Sequence, residues 1–192
     1  MYQCVFKDLG VVIPFTPFEC EFLKKINVAP SQLHPNSWGF LRAFQILCSV
    51  MGMNPSLGTF MHFYQLKLGE PPFGWISLSG SSNGGFLQIF SQSYKIFKEE
   101  FFKVQCVHDD ANSDSIFHSN GEPKFSLSWQ SEPIRFSRSE GLVLSAEEKK
   151  NIERLEGLTR PLESKAILLL AGSKNPQEDL ESKYKKITSK LD

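Results

Sequence analysis

Residues 31–51, SQLHPNSWGFLRAFQILCSVM, decide how the chain folds. Phe40, Leu41, Phe44, Leu47, Cys48 and Met51 fall at the i, i+3, i+4, i+7 spacing of a buried helical stripe. Trp38 widens that stripe, while Arg42, Gln45 and Ser49 fall on the side expected to face water. Asn36 is the expected N-cap, because its side-chain oxygen takes a free first-turn N–H. Pro35 keeps His34 out of helical backbone. Gly52 accepts a positive φ and ends the helix. Burial of one such Phe or Leu contributes roughly 1.5–3 kcal/mol, so the stripe is core before it is anything else.

Upstream, Thr16-Pro17-Phe18-Glu19 is a capping box, followed by an apolar face of Phe18, Phe22, Leu23 and Ile26. Downstream, Asn54-Pro55 opens an expected second helix carrying Leu57, Phe60, Met61, Tyr64 and Leu68, with Gly69 as its stop. The run Trp75 to Ser79 alternates like a strand. A Gly/Ser-rich turn then leads to Phe86-Leu87-Gln88-Ile89-Phe90, which completes an expected β-hairpin. That turn lacks the Gly-Lys-Ser/Thr ending of a phosphate loop. Residues 93–103, SYKIFKEEFFK, read as a short helix with Phe97, Phe101 and Phe102 as core candidates. Residues 124–136 read as an edge or terminal strand through Phe125, Leu127 and Trp129, interrupted by Pro133.

Composition changes after Phe136, since all 17 Phe and all three Trp lie at or before it. The expected layout is an aromatic-rich globular domain over 1–136, a helical extension over 137–172 and an amphipathic C-terminal helix over 173–192. Ser145-Ala146-Glu147-Glu148 is a second capping box, with Ile152 and Leu155 inward and Gly157 as stop. Leu162 to Leu170 reads as a short apolar helix ended by Gly172, and Asn175-Pro176 starts a third. There Leu180, Tyr184, Ile187 and Leu191 make a narrow stripe that reads equally as a coiled-coil seam or as a docked terminal helix. The fold class expected is helix-rich α+β: N-terminal helices packed with a small antiparallel sheet or hairpin, then a helical tail.

Lys+Arg and Asp+Glu both number 21, so no basic excess draws nucleic acid by long-range field. Cys4, Cys20, Cys48 and Cys106 show no zinc or redox spacing and read as reduced intracellular thiols. The N-terminus has no signal-peptide pattern, and the longest apolar run is far too short to span a bilayer. The expectation is a soluble intracellular protein, its compartment open.

Asp109, Asp110 and Asp114, with His108, His118 and Cys106 nearby, form the only acid cluster worth testing as a metal site. They sit in one contiguous loop rather than converging from rigid elements, so a solvated loop is the expectation. Lys95, Lys98 and Lys103 interleave with aromatics, which is a nucleic-acid pattern, but Glu99 and Glu100 stand among them. There is no nucleophile elbow, zincin helix, Walker loop or dinucleotide fingerprint. No catalytic, cofactor-binding or metal-binding residue is assigned, and no enzyme activity is expected.

Several ordered motifs resemble one family. Ala29 to Trp38 (APSQLHPNSW), Gly74 to Leu78, Ser93 to Val104 (SYKIFKEEFFKV) and Lys124 to Trp129 with Pro133 are similar to a plant family named "transposase, putative gypsy type". The resemblance runs from about residue 14 to 172. Its family-motif and core positions here are Leu33, His34, Pro35, Asn36, Trp38, Phe44, Trp75, Tyr94, Lys95, Phe101, Phe102 and Trp129. It implies a retrotransposon-derived protein, but it carries no catalytic residues across. It also implies continuation into coiled coil, and so a fragment or decayed copy here. The leading expectation is a non-enzymatic interaction or assembly module, with self-association through the C-terminal helix. The alternative is a nucleic-acid-binding protein or nuclease remnant.

Overall fold

The computed structural model describes residues 1–69, 74–80, 87–88, 97–104, 116–136 and 141–184. The architecture is helix-rich α+β. Its helices are α1 (Gln3–Lys7), α2 (Pro17–Ile26), α3 (Pro35–Val50), α4 (Leu57–Phe63), α5 (Ala146–Glu156), α6 (Ser164–Leu170) and α7 (Pro176–Tyr184). Its strands are β1 (Tyr64–Leu68), β2 (Ile76–Gly80), β3 (Leu87–Gln88) and β4 (Leu162–Glu163).

The α2 capping box is complete. Glu19 N donates to Thr16 Oγ1 at 3.2 Å, and Thr16 N donates to Glu19 Oε2 at 2.8 Å. Phe18, Phe22, Leu23 and Ile26 are buried, and Asn27 ends the helix in the left-handed region at φ 51°. Helix α3 lies at the centre of the core. Trp38, Leu41, Phe44 and Leu47 have no exposed surface, and Phe18, Phe22, Phe44 and Phe60 close a ring cluster with centroids 5.1–5.7 Å apart. Gly52, at φ 61°, follows the end of α3 as expected.

The cap of α3 differs from the expectation. Pro35 is its first residue and His34 is the N-cap, with Asn36 N donating to His34 Nδ1 at 3.1 Å. Proline suits that first position because its fixed φ is already helical and its missing N–H would be unpaired there anyway. The cap therefore moves back to the ring nitrogen of His34.

The expected second helix is split. It starts at Leu57, capped by Ser56, and stops at Phe63, after which β1 pairs antiparallel with β2 in the register Leu66↔Leu78 and Leu68↔Ile76. Tyr64 and Leu66 are buried and Leu68 is partly buried, so these residues satisfy a period of two as well as a helical one. A strand partner, which a local pattern does not reveal, decides between them. That same partner overturns the expected hairpin, because β2 pairs with the residues before it. Leu87–Gln88 instead pairs parallel with Leu162–Glu163.

Among residues 97–104 there is no helix. Backbone groups here are taken by the N-terminus: Phe102 N donates to Met1 O at 2.7 Å, and Gln3 N donates to Glu100 O at 2.9 Å. Phe97 is buried, but Phe101 and Phe102 are 64% and 43% exposed, so they are not core. Residues 124–136 likewise form no strand. Their amides go elsewhere, Ile134 N to Ile26 O and Gln130 N to Gln32 Oε1. Phe125 is buried, whereas Leu127 and Trp129 point outward.

The α5 capping box forms as expected between Ser145 and Glu148, with Ile152 and Leu155 buried. The expected helix from Leu162 begins at Ser164, since Leu162 and Glu163 belong to β4. Ile152, Leu155, Leu158, Leu162, Ile167, Leu170 and Leu180 join the same buried cluster as Phe22 and Trp38. Ile187 and Leu191 lie outside the described residues, so the stripe is seen only through α7. Among the described residues no helix is long and apolar enough to cross a membrane.

Candidate interaction site

Residues 31–38 hold later parts of the chain through backbone and side chains together, with Ser31, Gln32 and Ser37 making the side-chain hydrogen bonds. Ser31 Oγ accepts from Trp129 Nε1 at 2.9 Å. Gln32 is 1% exposed and makes three hydrogen bonds. Its Nε2 donates to Gly74 O (3.1 Å) and Gln130 O (2.7 Å), and its Oε1 accepts from Gln130 N (3.0 Å). A buried amide so fully paired loses little by leaving water and fixes both loops. Leu33 forms a parallel bridge with Ile76, and His34 N donates to Ile76 O at 2.8 Å. Ser37 Oγ accepts from Leu78 N at 2.9 Å, and Trp38 Nε1 donates to Pro30 O at 3.2 Å. Pro35 is buried. The Oδ1 of Asn36 is buried without a hydrogen-bond partner.

An aromatic cluster grows outward from this strip. The His34 ring meets Phe97 edge-on at 4.9 Å, and Phe97 meets Tyr2 at 4.7 Å. Trp75 Nε1 donates to Tyr2 Oη at 2.9 Å, and the Trp75 ring lies 5.5 Å from that of Trp129 at 73°. Lys98 Nζ stands 3.9 Å over the Trp75 ring, a cation–π contact. The cluster runs from fully buried Leu33 to Trp129, which is 44% exposed. Burial, and secondarily the Lys98 charge, hold the His34 imidazole below its ordinary pKa, which keeps Nδ1 free to accept the cap bond. Burial raises the Tyr2 hydroxyl above its ordinary value.

Of the sequence-derived positions, the structure brings Leu33, His34, Pro35, Asn36, Trp38, Trp75 and Trp129 into or beside this strip. Phe44 is placed in the core behind it. Phe101 and Phe102 sit at the N-terminal pairing, and Tyr94 and Lys95 lie outside the described residues. Sequence reasoning missed Gln32 and Tyr2, because nothing in a local pattern marks a polar residue that will be buried by distant loops. It also missed Gln45, expected in water. Gln45 Nε2 donates to Glu19 Oε1 at 2.9 Å, and Thr16 Oγ1 donates to Gln45 Oε1 at 2.8 Å, tying α3 to the α2 cap.

The site holds and presents rings. Burial pushes the Cys4 thiol up to about 11 and Cys48 up to about 12, so neither is a thiolate at neutral pH. Among the described residues no three His, Cys, Asp or Glu side chains are grouped to hold a metal ion. The acid loop of Asp109, Asp110 and Asp114, with Cys106 and His108, lies outside the described residues. His118 is exposed.

Compared with known families, residues 3–68 of the 192 match the model described as "Putative gypsy type transposon". The match spans α1 to β1 and includes the whole 31–38 strip, but not Trp75, Phe97 or Trp129, which that strip holds. No curated protein and no solved structure matches the chain.

Proposed function

We propose that this chain, which carries a transposon-related domain over residues 3–68, is a retrotransposon-derived interaction and assembly module without catalytic activity. The observation that carries this reading is the open face between α6 and α7. A groove of about 460 Å³ there is lined by Ala166, Leu169, Leu170, Ser173, Asp179 and Lys183. Leu169, at 69% exposed, is its most exposed apolar side chain. An apolar residue presented on a helix face among polar neighbours suits a second copy of this same α6–α7 face, Leu169 against Leu169, since Leu180 of α7 is already buried in the chain's own core. Lys183 Nζ also pairs with Glu163 Oε2 at 3.1 Å, which braces α7 against the start of α6.

Light scattering on size-separated full-length protein tests this reading. The wild type is expected to self-associate, and Leu169→Glu, a surface change that leaves the core intact, is expected to return it to monomer. A wild type that stays monomeric at high concentration would sink the assembly reading.

A further inference from the structure

We propose that the backbone edge at residues 99–103 pairs antiparallel with the same edge of a second copy, Phe101 against Phe101, and so joins α6–α7 dimers into larger species. The dimer itself rests on the assembly reading above; the edge is a second contact on a different part of the molecule.

The N-terminal pairing creates this edge. Phe102 N donates to Met1 O at 2.7 Å, Met1 N donates to Phe102 O at 2.8 Å, and Gln3 N donates to Glu100 O at 2.9 Å. Between those bonds Tyr2 and Phe101 face each other as an antiparallel bridge. In such a ladder the residue between two bonded neighbours turns its own N–H and C=O to the opposite side. Phe101 therefore presents both groups outward, and neither has a partner among the described residues. Its side chain is 64% exposed, and those of Phe102 and Val104 are 43% and 44% exposed. An open backbone edge that carries exposed apolar side chains is a template for another strand.

The sequence of the edge, EEFFK over residues 99–103, selects a second copy of itself. Side chains alternate along an extended chain, so Glu99, Phe101 and Lys103 share one face. A two-fold axis at Phe101 sets the two Phe101 rings together and lets the two residues exchange both N–H···O bonds. The same axis places Glu99 of each copy opposite Lys103 of the other. Both side chains are exposed, with Glu99 at the bend where the edge begins, and neither has an ion-pair partner among the described residues. An edge this short covers far less than the roughly 1,200–2,000 Å² of a stable interface. Pairing between single chains is therefore transient. It becomes effective once the α6–α7 contact holds two copies together, because each dimer then carries two edges.

The test is light scattering on the full chain over a series of concentrations. The wild type is expected to grow beyond the dimer, and Phe101→Lys to stop at the dimer. Lys103→Glu sets like charges opposite each other at both ends and should also stop there. Adding Glu99→Lys to it restores opposite charges in swapped order and should restore the larger species. Thermal melts of each variant establish that it is folded. A short bis-maleimide reads the edge without the dimer. In a Leu169→Glu background, Phe101→Cys should cross-link to itself several-fold more than Val143→Cys, whose position is 99% exposed and outside the edge. A wild type that stops at the dimer, a Phe101→Lys protein as large as wild type, or a charge swap that restores nothing overturns the proposal, as does equal cross-linking at 101 and 143. A monomeric wild type with preferential cross-linking at 101 would sink the α6–α7 reading and keep the edge.

Discussion

Helix α3 and residues 124–136 carry the same kind of residues, and the fold treats them in opposite ways. Both are rich in aromatics, Trp38, Phe40 and Phe44 in one and Phe125, Trp129 and Phe136 in the other. In α3 the backbone pairs with itself, so the helix can turn all of its rings inward and leave none of the three more than 2% exposed. Residues 124–136 have no such internal ladder. Their amides are taken by Gln32 and Ile26, which fixes where the chain runs before its side chains choose a face. Of its alternating apolar residues only Phe125 goes in, while Leu127 and Trp129 are left outside. The spacing of apolar residues tells which of them can share a face. The partner of the backbone tells which face that is.

The contrast is sharpest in the core. Phe44→Ala should cost about 3–5 kcal/mol, since the ring is fully buried among Phe18 and Phe60 and the space cannot collapse, whereas a cost near 1 kcal/mol in urea melts would mean the α3 side is loosely packed. Next is the clamp that decides the path of residues 124–136. Gln32→Leu keeps the volume but strands the Gln130 N–H and two carbonyls, at about 1–3 kcal/mol, and a neutral result would show that water replaces the amide without penalty. Gly58→Ala brings a Cβ against the Glu148 carboxylate that caps α5 and a Leu144 methyl, side-chain ends that can swing aside, and gains about 1 kcal/mol of helix propensity, so thermal melts should show a net change within about 1 kcal/mol; a larger loss would mean the α5 cap cannot move. Burial raises the Glu148 pKa, but hydrogen bonds from Ser145, Ser56 and Gly58 outweigh it and lower the value overall. Its contribution is therefore present above the unfolded carboxylate range and is lost as pH falls through the folded value.

The cap of α3 provides a smaller effect with a definite sign. His34 titrates below its ordinary value of 6.5 in the folded protein, so the unfolded chain takes up the proton first. Stability should be level above that value, fall as pH drops through it, and level again below the folded pKa. His34→Asn, which caps without titrating, should remove that slope; a slope that persists in the variant would assign it to other groups. Smallest of all, Leu127→Ala should change stability by no more than about 0.5 kcal/mol, and a larger loss in the same melts would place that side chain inside.

What could be read in the sequence divides along the same line. The two capping boxes at Thr16 and Ser145 and the stripe of α3 were legible, because each depends on residues three or four apart. The family resemblance was legible at 31–38 for a related reason: that strip is a contiguous set of contacts. The β1–β2 pairing was not, since Tyr64 to Leu68 fits helix and strand alike and only Ile76 to Gly80 breaks the tie. The cap at His34 was missed by one choice, whether Pro35 stands before the helix or begins it. Exposure of Phe101 and Phe102 was hidden because it follows from the pairing of residue 102 with residue 1. The aromatic cluster was half legible. Trp75 and Trp129 stood out in the sequence, although the family match ends at residue 68, while Gln32, which sets the path of the chain beside Trp129, carried no signal of its own.

Residues 31–38 should hold the later segments as firmly as α3 holds itself. Hydrogen exchange on the intact protein tests it at the Leu78 and Gln130 amides, which donate to Ser37 Oγ and Gln32 Oε1. If the strip is a structural hub, those two amides exchange at the slow rate of the α3 interior, through global unfolding alone. If they exchange orders of magnitude faster while α3 stays protected, the later segments are only loosely attached and the hub does not exist.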